Sequence, residues 1–164
     1  MKDFLDQIEA ALSGNIYLVA LFASLAIPDI CGAVDAADGI ATKEKYIDWY
    51  NKNASHICCY LSGEDCYFFR CSLLHQGSSQ HQASTYRRVL FVEPGKTTNV
   101  FHCNVLNDAL NIDLRIFCTE LVKSARTWVA KNENTDLFKK NMAKFMQRYP
   151  QGLPPYIVGI PVIS

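Results

Sequence analysis

The sequence predicts a mainly α-helical domain, a small bundle of helices with one inserted β-hairpin at about residues 87–105. Apolar residues recur at helical spacing over most of the chain, and three segments open with a Ser or Thr that can cap a helix. One region is rich in β-branched residues on both sides of a turn. With 164 residues, 49% of them apolar, the chain suits one folded domain better than two. We therefore assign residues 1–149 to a single helical domain with the hairpin insertion, and residues 150–164 to a Pro-rich C-terminal tail that packs on the domain or leaves it.

The first part of the domain is predicted to be helical. Phe4, Ile8 and Leu12 recur every four residues, so the chain opens with an amphipathic helix that continues into an almost wholly apolar stretch. The uninterrupted part of that stretch, Ile16–Ile27, has the length of a buried core helix, and Pro28 suits the first turn of a new short helix. We expect the apolar helix to lie at the centre of the domain or in a subunit interface, and not in a membrane.

Two further helices are predicted from their capping residues before the hairpin. Thr42 caps a helix with an aromatic face, for which core packing is a more common role than base stacking. Ser62 caps a helix that runs to about Gln76, just before Gly77. Both helices should pack their apolar residues on the domain core.

The hairpin is predicted from Arg88–Val92 and Asn99–Val105, which flank the sequence Glu-Pro-Gly-Lys at residues 93–96. Pro followed by Gly is typical of a type II turn. After the hairpin, apolar residues recur at helical spacing from Leu110 to Val129 and predict a long helix, and Thr135 caps a last one.

The charge balance argues against binding to a polyanion through the net charge of the chain. Sixteen basic residues balance sixteen acidic ones, so the chain as a whole is not attracted to nucleic acid or to an anionic membrane, although a local basic patch could exist. Seven cysteines are an odd number, and we expect no leader, because the pattern of a basic start followed by a small-residue cleavage site is not recognised. We expect reduced thiols in a cytoplasmic protein.

Thiol and imidazole side chains are concentrated between residues 56 and 75, which raises the question of a zinc site. They are His56, Cys58, Cys59, Cys66, Cys71 and His75. The spacing of a CxxC knuckle is missing, and free cysteine is a common buried residue, so we expect no metal and no cofactor.

The most informative stretch is FFRCSLLHQG at residues 68–77, in which Arg70 precedes His75 by five positions on the predicted helix. This stretch resembles the motif of the HEPN superfamily. The resemblance implies a small all-α bundle, a homodimer and a metal-independent endoribonuclease of a toxin–antitoxin or antiviral defence system, with Arg70 and His75 as the catalytic pair. An antitoxin or another protein partner is implied as well. The residue after the arginine is often Asn, Asp or His in that family, and here it is Cys71.

The chemistry of RNA cleavage without metal suits these two residue types. The reaction needs an acid, a base and positive charge on the phosphorane-like transition state. Histidine can transfer the protons, with the acid role favoured near the negative end of the helix dipole, and arginine binds phosphate. Candidate residues of a supporting shell are Glu64, Ser72 and Asp29, and candidate phosphate contacts are Arg87, Arg88 and Lys96.

The spacing of the pair leaves alternatives open. Five residues at 100° each place Arg70 and His75 about 140° apart around the helix axis. We therefore expect two copies of the chain to meet at the site. Alternatively, His75 caps its own helix and Arg70 pairs with a carboxylate, and the protein is a catalytically inactive helical dimer that binds a protein or a nucleotide.

Overall fold

The computed structural model of the chain describes residues 1–95 and 99–164. Of these residues 52% are helical and 13% lie in strands, and the strands form one three-stranded sheet and two two-stranded sheets. The prediction of a mainly α-helical, HEPN-like bundle is therefore wrong, because the described part of the chain has a mixed α/β fold. The difference arises from β3, which stands where the start of the long helix is expected, and from the four short strands of the tail.

The elements follow one another with short connections through the first half of the chain. The helices are α1 (Lys2–Ser13), α2 (Tyr17–Leu25), α3 (Ile27–Val34), α4 (Lys43–Asn53), α5 (Gly63–Gln76), α6 (Leu114–Asn132) and α7 (Asp136–Met142), and a 3₁₀ turn covers Ser55–Ile57. The strands are β1 (Arg88–Val92), β2 (Asn104–Leu106), β3 (Ala109–Asp113), β4 (Arg148–Tyr149), β5 (Gly152–Leu153), β6 (Ile157–Val158) and β7 (Val162–Ile163).

The three predicted helix caps are confirmed. The hydroxyl of Thr42 accepts a hydrogen bond from the N–H of Lys45 at the start of α4. Ser62 does the same for Asp65 in α5, and Thr135 caps α7. The aromatic face of α4 is buried in the core, as its spacing predicts.

The apolar segment does not continue from α1. The chain turns at Gly14 and at Asn15, whose φ of 58° lies in the left-handed region. One face of α2 is buried, but Leu18 and Val19 are 62% and 58% exposed, so only half of this helix lies in the core. By length and composition Tyr17–Val34 could cross a membrane, and half of that window is buried within the protein. The expectation that it lies outside a membrane stays a prediction.

The prediction that the strand at residues 88–92 forms a hairpin with residues 99–105 is wrong. β1 occupies the expected Arg88–Val92, but it pairs in parallel with β3 and not with residues 99–105. The true hairpin joins β2 and β3 in antiparallel pairing. Asn107 and Asp108 close it with φ angles of 49° and 60°, as the favoured two-residue hairpin turns require. A strand pattern predicts that a segment is extended, but not which segment it pairs with.

The predicted start of the long helix is also wrong. Leu110 belongs to β3, the central strand of the sheet, and α6 begins at Leu114. The side chain of Asp113 accepts a hydrogen bond from the N–H of Ile116 at 2.8 Å and caps α6. The apolar residues of β3 continue the spacing of the helix by coincidence, so periodicity alone could not separate the two elements.

The helix α6 packs against α1, α2, α3, α4 and β3, and thereby joins the helices to the sheet. Phe91 of β1 completes this contact, because its ring lies 5.1 Å from that of Phe69 on α5 and 5.1 Å from that of Phe117 on α6. The tail folds into two nested pairs of strands, β4 with β7 and β5 with β6. The helix α5, which carries the candidate site, packs against α4 and α2.

Candidate active site

The ends of α5 are defined by two local interactions. Ser62 caps its first turn, and Gly77 ends it with a left-handed φ of 64°. The N–H of Gly77 donates to the carbonyl of Leu73, and the N–H of Ser78 donates to that of Ser72. This C-terminal motif needs the conformational freedom of glycine, and it leaves His75 exposed in the last turn of the helix.

Arg70 forms an ion pair with Asp29, from the first turn of α3. Arg70 Nη2 lies 2.6 Å from Asp29 Oδ2, and the two side chains are only 21% and 14% exposed. The sequence suggested Asp29 as a supporting residue, and the structure places it in direct contact with the arginine. Asp29 also borders a groove between α3 and α7 that is lined by Lys144.

The same guanidinium reaches His75. Arg70 Nη1 lies 3.5 Å from His75 Nε2, at the outer limit of a hydrogen bond. Arginine has only donors, so a hydrogen bond at this position would be donated by Arg70 to the ring nitrogen of His75. The long arginine side chain thus closes the 140° separation within one chain, and a second copy is not needed to bring the pair together.

Burial and charge act in opposite directions on the ion pair. Burial raises the pKa of the Asp29 carboxyl above its ordinary value, although the charge and hydrogen bond of Arg70, and more weakly His75, lower it. Burial lowers the pKa of Arg70, but Asp29 and Cys71 raise it further, so the guanidinium keeps its charge. The carboxylate is therefore held at this position by its partner, against the effect of burial.

Two neighbouring side chains, Cys71 and Tyr67, were not predicted as parts of the site. Cys71 Sγ lies 3.8 Å from Arg70 Nη1, so a thiol stands beside the arginine where the resembling motif often has an amide, a carboxylate or an imidazole. A hydrogen bond with Cys71, followed by burial, raises the pKa of Tyr67. Tyr67 and Cys71 are four residues apart on one helix face, a spacing from which the sequence could have suggested the contact.

Glu64 and Ser72 do not join the cluster. Glu64 forms an exposed ion pair with Lys43, with Nζ and Oε1 2.8 Å apart. Ser72 is buried on the core side of α5, and its hydroxyl has no hydrogen-bond partner among the described residues. Neither side chain contacts Arg70 or His75 in the part of the chain that the structure describes.

The candidate phosphate contacts lie on the strand that follows. Arg87 and Arg88 are exposed at the start of β1. With the Gln80 amide turned to face it, Arg88 donates from Nε and Nη2 to the amide oxygen at 2.9 and 3.0 Å. Lys96 lies outside the described residues.

The cysteines and histidines considered for zinc separate into different environments. Cys66 is buried against the hydroxyl of Tyr46, at 3.3 Å, and Cys58 contacts Cys103. Over residues 1–95 and 99–164, no group of three or more His, Cys, Asp or Glu side chains has an arrangement that could hold a metal ion.

Neither a scan against models of protein families nor searches of curated proteins and of solved structures find a match to this chain.

Proposed function

We propose that the protein is a metal-independent endoribonuclease in which Arg70 binds the scissile phosphate and His75 transfers a proton. The observation that carries this proposal is the 3.5 Å approach of Arg70 Nη1 to His75 Nε2 at the exposed end of α5. One phosphate group can contact a guanidinium and an imidazole that lie this close together. The resemblance of residues 68–77 to the HEPN motif supports the same residue pair.

We assign the base role to His75, because its ring lies beside the guanidinium that would bind the phosphate, in contrast to the acid role suggested by its place near the helix end. In this role a ring nitrogen of His75 takes the proton of the 2′-hydroxyl. The 2′ oxygen then attacks phosphorus, the bond to the 5′ oxygen breaks, and that oxygen takes a proton from solvent. The products are a 2′,3′-cyclic phosphate and a 5′-hydroxyl end.

Asp29 is a positioning residue in this mechanism. It holds one side of the guanidinium through Nη2 and leaves Nη1 directed toward His75. A phosphate that binds Arg70 adds a second anion beside Asp29, so the raised pKa of this carboxyl reduces the repulsion that RNA must overcome. The proposed setting is the cytoplasm, with an antitoxin or another protein as regulator.

The experiment compares the parent protein with Arg70→Ala and His75→Ala variants on mixed structured RNA in EDTA. We expect cleavage by the parent with 2′,3′-cyclic phosphate ends, and at least about a hundredfold loss in each variant, because each loses a group that acts in the transition state. Matched controls are Arg148→Ala and His56→Ala, which remove exposed side chains of the same types on other elements. Equal cleavage by all five proteins would indicate a contaminating nuclease and contradict the proposal.

One observation favours a second function, a catalytically inactive dimer that binds a protein or a nucleotide. The guanidinium of Arg70 is already paired with Asp29, as in a purely structural ion pair. Absence of cleavage at high protein concentration, together with saturable binding of a labelled nucleotide that persists in Arg70→Ala, would favour this alternative.

A further inference from the structure

Three thiols meet between the 3₁₀ turn and the chain that enters β2, away from the Arg70 site. Cys58 Sγ lies 2.7 Å from Cys103 Sγ, and Cys59 Sγ lies 3.6 Å from the same sulfur. Cys58 and Cys103 are 45 residues apart in sequence. Cys58 is buried, Cys103 is half-buried and Cys59 is exposed, so the cluster extends from the core to the surface.

The two segments are held together by more than the thiols. His102 Nε2 donates to the carbonyl of Ile57 at 2.8 Å. From the chain before β1, the hydroxyl of Tyr86 also donates to the carbonyl of Tyr60 at 2.8 Å, on the Cys58 side of the cluster. Cys103 itself has a left-handed φ of 55°, an uncommon conformation for a residue with a side chain. The close approach of the thiols is therefore supported by the hydrogen bond between His102 and Ile57.

The three thiols differ in reactivity. Partial burial raises the pKa of Cys103, but hydrogen bonds from the Cys58 thiol, the Tyr60 N–H and Cys59 lower it further, and the net pKa lies below its ordinary value. Burial, followed by the bond to Cys103, raises the pKa of Cys58 to about 12. Donation to Cys103 also raises the pKa of Cys59. Cys103 is the member of the cluster that most readily forms a thiolate, which is the nucleophilic form.

We propose that Cys103 and Cys58 form a redox-active pair that a peroxide oxidises to a reversible disulfide. Cys103 is the attacking thiol and Cys58 the resolving thiol. The pair rests on geometry that is independent of the proposed nuclease site. It gives the protein a modification site that responds to oxidants of the peroxide class.

The reaction balances in two steps. The Cys103 thiolate attacks one oxygen of the peroxide, the O–O bond breaks, and a sulfenic acid forms on Cys103 while hydroxide leaves and is protonated to water. The Cys58 sulfur then attacks the Cys103 sulfur, the S–O bond breaks, and a second water leaves as the S–S bond forms. Two thiols are oxidised and the peroxide is reduced.

The experiment uses the full chain, reduced, freed of reductant and treated with hydrogen peroxide. Free thiols are then blocked and the non-reduced peptides are mapped by mass spectrometry. We expect a Cys58–Cys103 disulfide that a dithiol reductant reverses, while the buried Cys118 stays a thiol. The disulfide would join residues that are 45 positions apart and so reduce the entropy of the unfolded chain. The melting temperature of the oxidised protein should therefore be roughly 10 °C above that of the reduced protein. A Cys103 that stays reduced in natively folded protein would overturn the proposal, as would a Cys59–Cys103 bond as the main product.

Two variants separate the roles of the thiols. Cys59→Ser is the matched control and should still form the Cys58–Cys103 bond. In the double variant Cys58→Ser/Cys59→Ser both neighbouring thiols are lost, so a sulfenic acid should accumulate on Cys103, where a dimedone-type reagent traps it. Failure to trap any oxidised form of Cys103 in this variant, with unchanged circular dichroism, would exclude Cys103 as the attacking thiol.

Discussion

Asp29 and Asp65 are both largely buried carboxylates, but they differ in the groups that bind them. Asp65 accepts hydrogen bonds from the hydroxyl of Ser62 and from the N–H and hydroxyl of Thr85, and so ties the chain before β1 to the start of α5. Asp29 has the ion pair with Arg70, and burial raises its pKa. The first carboxylate is satisfied by local donors, whereas the second is held in an environment that disfavours its charge.

This contrast predicts that Asp29→Asn does not destabilise the protein at neutral pH. A raised pKa in the folded state means that Asp29 contributes its stability below the unfolded pKa and loses it as pH rises through the folded pKa. The amide resembles the protonated acid, so the variant should be more stable than the parent at pH 7, by no more than about 1 kcal/mol, and equal to it at acid pH. Urea unfolding at several pH values measures the difference.

The control for this prediction is Asp136→Asn, which removes an exposed acid on α7. Its effect should not follow the same pH profile. A loss of stability in Asp29→Asn at neutral pH would mean that the ion pair with Arg70 outweighs burial and lowers the pKa of Asp29.

The residues of the site were partly accessible to prediction from sequence. The Arg70 to His75 spacing and the cap at Gly77 are local, and local chemistry determines them. The sequence suggested Asp29 as a supporting residue, but the ion pair joins α5 to α3 across 41 positions, and spacing alone could not select Asp29 as the partner of Arg70. The angle between the two positions around the helix axis does not include the length of the arginine side chain, which brings Nη1 to 3.5 Å from His75 Nε2.

The contact between α4 and α5 depends on a residue without a side chain. A methyl group at Gly63 would lie 2.7 Å from the side chain of Asn51 and 2.9 Å from the backbone oxygen of Ile47. The N–H of Gly63 also donates to Asn51 at 3.0 Å. The two helices pack closely here, and this packing positions the start of the helix that carries the candidate site.

Gly63→Ala should therefore destabilise the protein by about 1–3 kcal/mol, although alanine favours helices, because the backbone of α4 must move to admit the methyl group. Gly14→Ala is the matched control, since its new methyl group would lie 3.4 Å or more from its neighbours at a negative φ. Its effect should stay within about 0.5 kcal/mol. Thermal or urea unfolding compares the two, and equal effects would contradict the close packing at Gly63.

At this scale, sequence predicts elements better than it predicts their partners. Each of the caps at Thr42, Ser62 and Thr135 forms within one turn, so the residue type suffices. The assignment of Leu110 to β3 is decided by pairing with β1 and β2, which is a property of the folded chain. The break at Asn15 similarly depends on how α1 and α2 pack against each other.

At the scale of the whole molecule, an apolar helix face is exposed among the residues that the structure describes. Ile16, Leu18 and Val19 are between 54% and 62% exposed on and beside α2. Around a two-fold axis the same face of two copies comes together, so like charges would repel each other there. An apolar face without charges can meet its own copy without this repulsion. The homodimer expected from sequence stays a prediction, and this face is where we place its interface.

We predict a dimer at micromolar concentration and a shift to monomer in Val19→Glu, because two carboxylates would meet near the axis without a partner. Light scattering after size-exclusion chromatography measures the mass. Val158→Glu is the matched control, since Val158 is a more exposed valine in the tail, at 70%. A monomeric parent, or an equal response of both variants, would contradict an interface on α2.

The position of β3 has a further consequence for the order in which the chain acquires structure. β1 leaves the ribosome before β2 and β3, yet its pairing partner is β3. Until residues 109–113 have been synthesised, β1 has no strand beside it, and Phe91 lacks its contact with Phe117. Nascent chains that stop short of β3 therefore expose an unpaired apolar strand, and we expect them to need chaperones more than the finished protein does.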